Sequence, residues 1–407
     1  MRFRIIAALA LTYAVLGILM NSVGIVILQS ILHFDADKLM GSTLEACKDL
    51  SVAAASFSLA LYVARYGYRR ALMTVMALIA AACLLASTAT GFAAMQMLFV
   101  AIGLGFGVAK VATYASIGLL ARTAKEHASL TGVIEGVFMI GVLSGAWIFG
   151  WFVGADESGQ GWLRVYWLMA ALCIVSIGLW LSVRIDEAGA VSKAEPSVGW
   201  TELVRLALLP GTIVVLLCLF LYVLVEQGVG TWLPTFNSEA LHLSPALSAQ
   251  VSSIFLASRA GGRLASGVVL RRIAWLPVLL VCLAGAAATM VLTLPLAGAV
   301  GPERVTAWSN APAAALLFPL IGFFLAPVYP TICSTTLSAL PQRQHAALIG
   351  LIVLFSAVGG TLGSFLTGLL FQKLPGGLAF YAMLVPISLI AILLVKIGRM
   401  QAGKGMA

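Results

Sequence analysis

Residues Tyr222-Val-Leu-Val-Glu226-Gln227-Gly-Val-Gly-Thr-Trp232 lie within an apolar run from Thr212 to Pro234. Crossing a bilayer takes about 20 apolar residues, and this run is long enough, yet a carboxylate and an amide sit side by side near its centre. An ionisable group at that depth costs roughly 3 kcal/mol or more unless it meets water or an opposite charge. Glu226 therefore marks an internal surface, expected to be a water-filled central cavity between two helical bundles.

The rest of the chain agrees with a membrane setting. Of its 407 residues 61% are hydrophobic and only 10% are charged, too little polar surface to cover a soluble globule of that length. Arg2 and Arg4 precede an apolar run to about Ile31 that is too long for a signal peptide and ends without a small-residue cleavage site, so it is expected to remain as a first span. The six cysteines, Cys47, Cys83, Cys173, Cys218, Cys282 and Cys333, fall one to an apolar span without metal-type spacing and read as small core hydrophobes.

Hydropathy predicts an all-α integral membrane protein with twelve transmembrane helices, at about 5–31, 40–63, 70–88, 93–121, 128–153, 162–183, 207–234, 244–270, 275–297, 309–339, 345–371 and 377–398. With both termini cytoplasmic, one side of the membrane carries sixteen basic residues: Arg2, Arg4, Arg65, Arg69, Arg70, Arg122, Lys125, Arg184, Lys193, Arg205, Arg271, Arg272, Arg343, Lys396, Arg399 and Lys404. The other carries four, Lys38, Arg164, Arg304 and Lys373. That asymmetry sets the orientation in a cell (inner) membrane, and it accounts for the net charge of +9 without any nucleic acid partner.

The longest polar stretch, Asp186 to Glu202, follows the sixth span. It divides the chain into an N-terminal six-helix bundle (1–185), a cytoplasmic linker (186–204) and a C-terminal six-helix bundle (205–407). Six spans plus six suggest two pseudo-symmetric bundles with a solute site between them at mid-membrane, working by alternating access. The other loops are too short for a soluble catalytic domain, and no Gly-rich loop ending in Lys-Ser/Thr is present to bind ATP. His33, His127, His242 and His345 sit at loops or span ends without metal-ligand or catalytic-triad spacing, so neither an enzyme nor a metal or other cofactor is expected.

The segment Ala60-Leu-Tyr-Val-Ala64-Arg65-Tyr-Gly67-Tyr-Arg69-Arg70 resembles the cytoplasmic Gly-x-x-x-Asp-Arg-x-Gly-Arg-Arg signature of the major facilitator superfamily, with Ala60 in place of the leading Gly and Ala64 in place of the Asp. A weaker echo follows the eighth span, in Gly262-Arg263-Leu264-Ala-Ser-Gly267-Val-Val-Leu-Arg271-Arg272. Within that superfamily Tyr222 to Trp232, together with Gly322-Phe-Phe-Leu-Ala-Pro327-Val-Tyr329-Pro330-Thr331, resembles the fucose-permease-like branch of proton-linked symporters. The resemblance implies that spans one, four, seven and ten line the cavity and that Arg65, Arg69 and Arg70 belong to a gating loop. It also exposes two departures. Lys110 stands where that branch has a carboxylate, and Gly24, beside the retained Asn21, stands near its other functional acid. A Tyr-Pro-Thr inside a membrane helix predicts a hinge or binding kink at Tyr329 to Thr331.

Eight charges fall inside the spans: Glu45, Lys48, Asp49, Lys110, Glu135, Glu226, Arg259 and Arg263. Four are acidic and four basic, and a balanced set implies pairing, because an isolated ion in hydrocarbon sheds its charge instead. Glu45, Lys48 and Asp49 share one helix face by their spacing and form either a hydrated ion cluster closing the outer side or an outer gate, with Asp49 a protonation site in the second reading. Lys110 and Glu226, each near mid-span, either oppose one another across the solute path, serve as a structural lock, or have unrelated local partners; Lys110 alternatively binds an anionic group of the solute. Glu135 is a second protonation candidate. Arg259 either ligates an anion or pairs with Glu135 or a helix carbonyl end, and Arg263 reads as an inner-gate contact.

The expected solute-binding set is therefore Lys110, Glu226, Gln227, Asn21, Tyr114, Trp232, Tyr329 and Arg259, with aromatic faces suited to stacking on flat solutes or, equally, to helix packing. Proton coupling falls to Glu226, Asp49 and Glu135. Gating falls to Glu45, Lys48, Asp49, Arg65, Arg69, Arg70 and Arg263. These residues predict a monomeric transporter whose partners are a small-molecule solute, protons and the lipid bilayer, running proton-coupled uptake. The alternative is an exporter of a metabolite, siderophore or drug by proton antiport; Gly141-Val142-Leu143-Ser144-Gly145 lacks the Pro usual in span five of drug antiporters, and Phe99 stands about where their span-four Arg would be.

Overall fold

A computed structural model describes residues 2–34, 36–58, 60–121, 123–155, 161–183, 205–338, 342–374 and 377–402. Helices account for nearly all of them, and the described residues contain no strand beyond an isolated bridge between Leu243 and Val305. Without water, a spanning backbone must satisfy its own N–H and C=O groups, and a helix does so within one segment. The expected linker 186–204 lies outside the described residues, as do Arg122, Arg184, Lys193 and Lys404.

The chain forms two compact units. One comprises Met1–Ala36 and Thr43–Pro196, the other Asp37–Ser42 and Ser197–Ala407. The first unit holds α1 (Arg2–Met20), α2 (Val23–His33), most of α3 (Lys38–Ser58), α4 (Ala60–Tyr66), α5 (Tyr68–Ser87), α6 (Phe92–Leu120), α7 (Ala124–Gly154) and α8 (Val165–Leu181). In the second are α9 (Pro210–Glu239), α10 (Pro245–Val269), α11 (Trp275–Ala297), α12 (Ala313–Leu317), α13 (Ile321–Leu325), α14 (Val328–Ser338), α15 (Gln342–Lys373), α16 (Leu378–Tyr381) and α17 (Leu384–Ala402).

Among the described residues ten helical stretches are long and apolar enough to cross a membrane. The two expected spans outside that count are α3 and α10. Their lengths suffice, since 21 and 25 residues extend roughly 31 and 37 Å, but Glu45, Lys48 and Asp49 in one and Arg259 and Arg263 in the other lower their apolar character.

Helix ends follow local chemistry. Thr123 caps α7 by accepting the Glu126 amide at 3.2 Å, and Ser244 caps α10 by accepting the Leu247 amide at 3.3 Å, with Pro245 behind it. Gly67 joins α4 to α5 at φ 97°, a conformation that a side chain at that position would resist. Two interruptions are not visible in hydropathy. The first span breaks at Asn21, whose amide donates back to the Gly17 carbonyl at 3.2 Å, and Ser22 donates to Leu19 O at 2.8 Å. The tenth breaks at Ala326–Pro327 rather than at Tyr329 to Thr331: Pro330 falls in the first turn of α14, where its missing N–H has no intrahelical partner to lose.

Close backbone approach holds each unit together. In the first, a Cβ added at Gly103 would lie 2.3 Å from the Lys48 carbonyl and 2.7 Å from Ser51 Cβ, so α6 lies directly on α3. A polar knot adds to this packing: Thr12 and Ser176 hydroxyls meet at 2.9 Å, and Trp180 Nε1 donates to Thr12 at 3.1 Å. In the second, Gly359 and Gly363 let α15 reach the Phe220 and Leu224 carbonyls of α9.

Two alanine substitutions separate this packing from helix propensity. Gly103→Ala should cost about 1–3 kcal/mol and lower the thermal midpoint of the detergent-purified protein, because rigid backbone faces it. Gly136→Ala, with nothing within 4 Å of the added carbon, should hold or raise the midpoint, alanine being the better helix former by about 1 kcal/mol. Equal midpoints in a thermal unfolding scan would remove the α3–α6 contact as a source of stability.

Candidate functional site

In the second unit three helices converge on Glu226. The residue sits near the middle of the 30-residue α9 and is buried. Its Oε1 lies 2.7 Å from Arg259 Nη2 and accepts the Tyr222 hydroxyl at 2.9 Å. Tyr222 precedes Glu226 by four positions, so the helix itself places the phenol over the carboxylate. Arg259 comes from α10, and its guanidinium carbon is 5.8 Å from the ring centroid of Phe255, one turn earlier on the same helix. Small residues make room for this arrangement: a Cβ at Gly230 would lie 2.8 Å from the Phe255 ring, and one at Gly322 would lie 3.1 Å from Arg259 Cγ.

From α14, Tyr329 brings its ring to 5.9 Å from that of Tyr222, and its hydroxyl has a long 3.5 Å contact with Ser356 of α15. Charge-assisted hydrogen bonds such as Arg259–Glu226 are about twice as strong as neutral ones. Arg259 Nε is buried with no hydrogen-bond partner among the described residues, so the guanidinium retains donor capacity beyond Glu226. Chemically the site holds one anion and one cation in contact, flanked by two phenols. Gln227 is half-buried beside it, and Arg263, one turn beyond Arg259, is exposed.

Trp232 is placed differently from the expectation. It is fully buried, its Nε1 donates to the Ser364 carbonyl at 2.8 Å, and its ring stacks on Phe371 at 5.7 Å. An indole with both face and N–H committed to α15 packs α9 in place and has no exposed surface left for a solute.

In the first unit Lys48 is buried on α3 in contact with Glu45, and its Nζ is 3.4 Å from Asp49 Oδ1. One cation thus serves two carboxylates, as the helical spacing predicts. Glu135 of α7 accepts the Tyr114 hydroxyl of α6 at 2.5 Å. Lys110, one turn before Tyr114, is exposed and has no ion pair among the described residues. Within its own unit Glu226 is met by Arg259, which reaches the carboxylate from the adjoining helix.

A model of the Major Facilitator Superfamily matches residues 5–364. The chain belongs to the Major Facilitator Superfamily. No curated protein matches it in sequence. Among solved structures it is similar to a bacterial homologue of the human lysosomal transporter Spinster, in an inward-facing and occupied conformation, at 15% identity and a TM-score of 0.74, covering 98% of this chain and 97% of that one. It is likewise similar to a D-xylose–proton symporter (13%, TM-score 0.72, 96% and 97% covered) and to the nucleoside transporter NupG (13%, TM-score 0.71, 98% of each). At these identities the likeness carries the fold. Family membership and the ten apolar helical stretches make the chain a multi-pass membrane protein of a transporter family.

The major facilitator loop signature takes a specific form here. Arg69 donates from Nε to the Trp180 carbonyl at 2.8 Å and from Nη2 to the Leu181 carbonyl at 3.3 Å, satisfying the C-terminal end of α8. Arg65 and Arg70 are exposed. Sequence reading did not assign a role to Phe255 or Ser356, and it did not pair Tyr222 with Glu226, although their four-residue spacing carried the signal.

Replacing Lys48 by methionine leaves two carboxylates beside one another in hydrocarbon. Lys48→Met should cost about 3–5 kcal/mol, read as a lowered thermal midpoint or loss of monodisperse protein, and Glu45→Gln in the same chain should restore part of it. No recovery in the double variant would show that the two groups do not share the burial cost.

Proposed function

We propose that this chain is a secondary active transporter that takes up a small polar or anionic organic solute with a proton, by alternating access, and that Glu226 is the coupling carboxylate. The observation that carries the reading is the Glu226–Arg259 contact at 2.7 Å, topped by Tyr222. Protonating Glu226 removes the charge that holds Arg259. The released guanidinium then donates to a carboxylate or other electron-rich group of the solute, and Tyr222 and Tyr329 offer hydroxyls and ring faces beside it. Proton and anion enter together, so the site keeps the same net charge loaded and empty, and neither state exposes an unpaired ion to the low-dielectric surroundings. Coupling is then the difference in proton affinity between solute-free and solute-bound forms.

The remaining roles follow as parts of the same proposal. Twelve spans form two six-helix halves, 1–185 and 205–407, joined by a cytoplasmic linker at 186–204, the protein acting as a monomer in an inner membrane with both termini cytoplasmic. The lengths of α3 and α10 support the count, and the sixteen-to-four distribution of basic residues supports the orientation. Lys110, Asn21, Gln227 and Tyr114 complete the solute path. Asp49 and Glu135 are secondary proton sites; the Glu45–Lys48–Asp49 cluster with Arg65, Arg69, Arg70 and Arg263 belongs to the gates. The stretches around Glu226 and Tyr329 favour the fucose-permease-like branch, and the D-xylose–proton symporter among the similar structures supports a proton-linked mechanism.

Counterflow in proteoliposomes at two pH values, over a panel of sugars, organic acids and chelators, tests this. Glu226→Gln should retain solute exchange while its proton-driven accumulation ratio falls to roughly one, because neutral glutamine cannot exchange a proton. Arg259→Gln should reduce exchange as well. Wild-type accumulation by Glu226→Gln would remove that residue from the coupling.

A further inference from the structure

A groove of about 560 Å3 opens within the first unit among α4, α5 and α6. Its long walls are aliphatic: Val75 and Leu78 from α5 face Leu104 and Val108 from α6. Gly105 lets the two helices meet there, since a Cβ at that position would lie 2.8 Å from Ile79 Cδ1 and 3.1 Å from Val75 Cγ1. One end is polar. Arg65 lines it together with Thr74, whose hydroxyl is 3.2 Å from that of Tyr66.

A second cation, Arg70, is outside the lining itself but one helical turn from it. Arg70 precedes Thr74 by one turn and accepts its hydroxyl on the backbone carbonyl at 3.0 Å, so both residues lie on the α5 face that borders the groove. Arg69, between Arg65 and Arg70 in the sequence, is turned to the end of α8. No acidic side chain lines the groove among the described residues. Tyr62 and Tyr66, 64% and 53% exposed, flank the arginines as the aromatic residues of a membrane–water boundary do.

We propose that this groove is a binding site for an anionic glycerophospholipid of the adjacent leaflet. One acyl chain lies along Val75, Leu78, Leu104 and Val108, and the phosphate is held by Arg65 and Arg70 with the Thr74 and Tyr66 hydroxyls alongside. The combination selects the occupant: a water-soluble anion gains nothing from an aliphatic trough, and a zwitterionic lipid brings a headgroup cation up against two guanidinium groups. Basic residues at a bilayer surface each strengthen anionic-lipid binding roughly fivefold. The site is separate from the Glu226 constellation and does not depend on it.

Purified protein in nanodiscs is photolabelled with a phosphatidylglycerol carrying a diazirine on one acyl chain, with unlabelled phosphatidylglycerol or phosphatidylcholine as competitor, and the labelled peptides are mapped. Label should concentrate on residues 62–78 and 104–108. Unlabelled phosphatidylglycerol should compete roughly 25-fold better than phosphatidylcholine, and Arg65→Gln/Arg70→Gln should abolish that preference. Label spread evenly over the spans, equal competition by the two lipids, or an unchanged preference in the double variant would overturn the proposal. The label map and lipid competition are read on the unaltered chain, so they decide the matter even where the variant fails to fold.

Discussion

Hydrocarbon does not solvate ions, and this constraint explains how Glu45, Lys48, Asp49, Glu135, Glu226 and Arg259 are arranged. Lys48 is flanked by Glu45 and Asp49, Glu226 is met by Arg259 and Tyr222, and Glu135 by Tyr114. The two ionic groupings differ in kind. Glu45, Lys48 and Asp49 belong to one helix, so their contacts are set by helical spacing and persist however that helix moves. Glu226 and Arg259 belong to different helices, and their contact exists only while α9 and α10 keep their separation. Of the two, the second is the one that a change in helix packing or in protonation can open.

That separation is maintained by packing with little slack. Gly230 and Gly322 leave room for the Phe255 ring and the Arg259 stem, and Gly359 and Gly363 bring α15 onto α9. Trp232, fastened to Ser364 and stacked on Phe371, fixes the far half of α9. A segmented helix lies beside this rigid frame: α13 and α14 are separated at Ala326–Pro327, and α14 carries Tyr329 to the ring of Tyr222. The proposed coupling thus combines a fixed acid, a cation on a neighbouring helix and a phenol on a broken one.

Much of this was legible in the sequence because helical geometry and hydropathy are local. A carboxylate in the middle of an apolar run identified Glu226, and three- and four-residue spacing put Glu45, Lys48 and Asp49 together. The partner of Glu226 was not legible. Hydropathy reports how deep a residue lies and is silent on which way it faces around its helix, so Arg259, expected to ligate an anion or to pair with Glu135 or a helix carbonyl end, was not matched to Glu226 until the packing of α9 on α10 was known. The breaks at Asn21 and Pro327 escaped for a related reason: apolar character runs through both, and only the backbone interrupts. Trp232 read as a cavity aromatic because an indole suits a solute face and a helix contact equally, and its burial against α15 decides between them.

Infrared difference spectroscopy on lipid-reconstituted protein, comparing solute-bound with solute-free states at one pH, tests the coupling role of Glu226 most directly. Solute binding should convert a carboxylate signal into that of a protonated carboxyl group, and this change should be absent in Glu226→Gln. A solute-bound spectrum with no new protonated carboxyl, or the same change in the glutamine variant, would contradict the assignment of the coupled proton to Glu226.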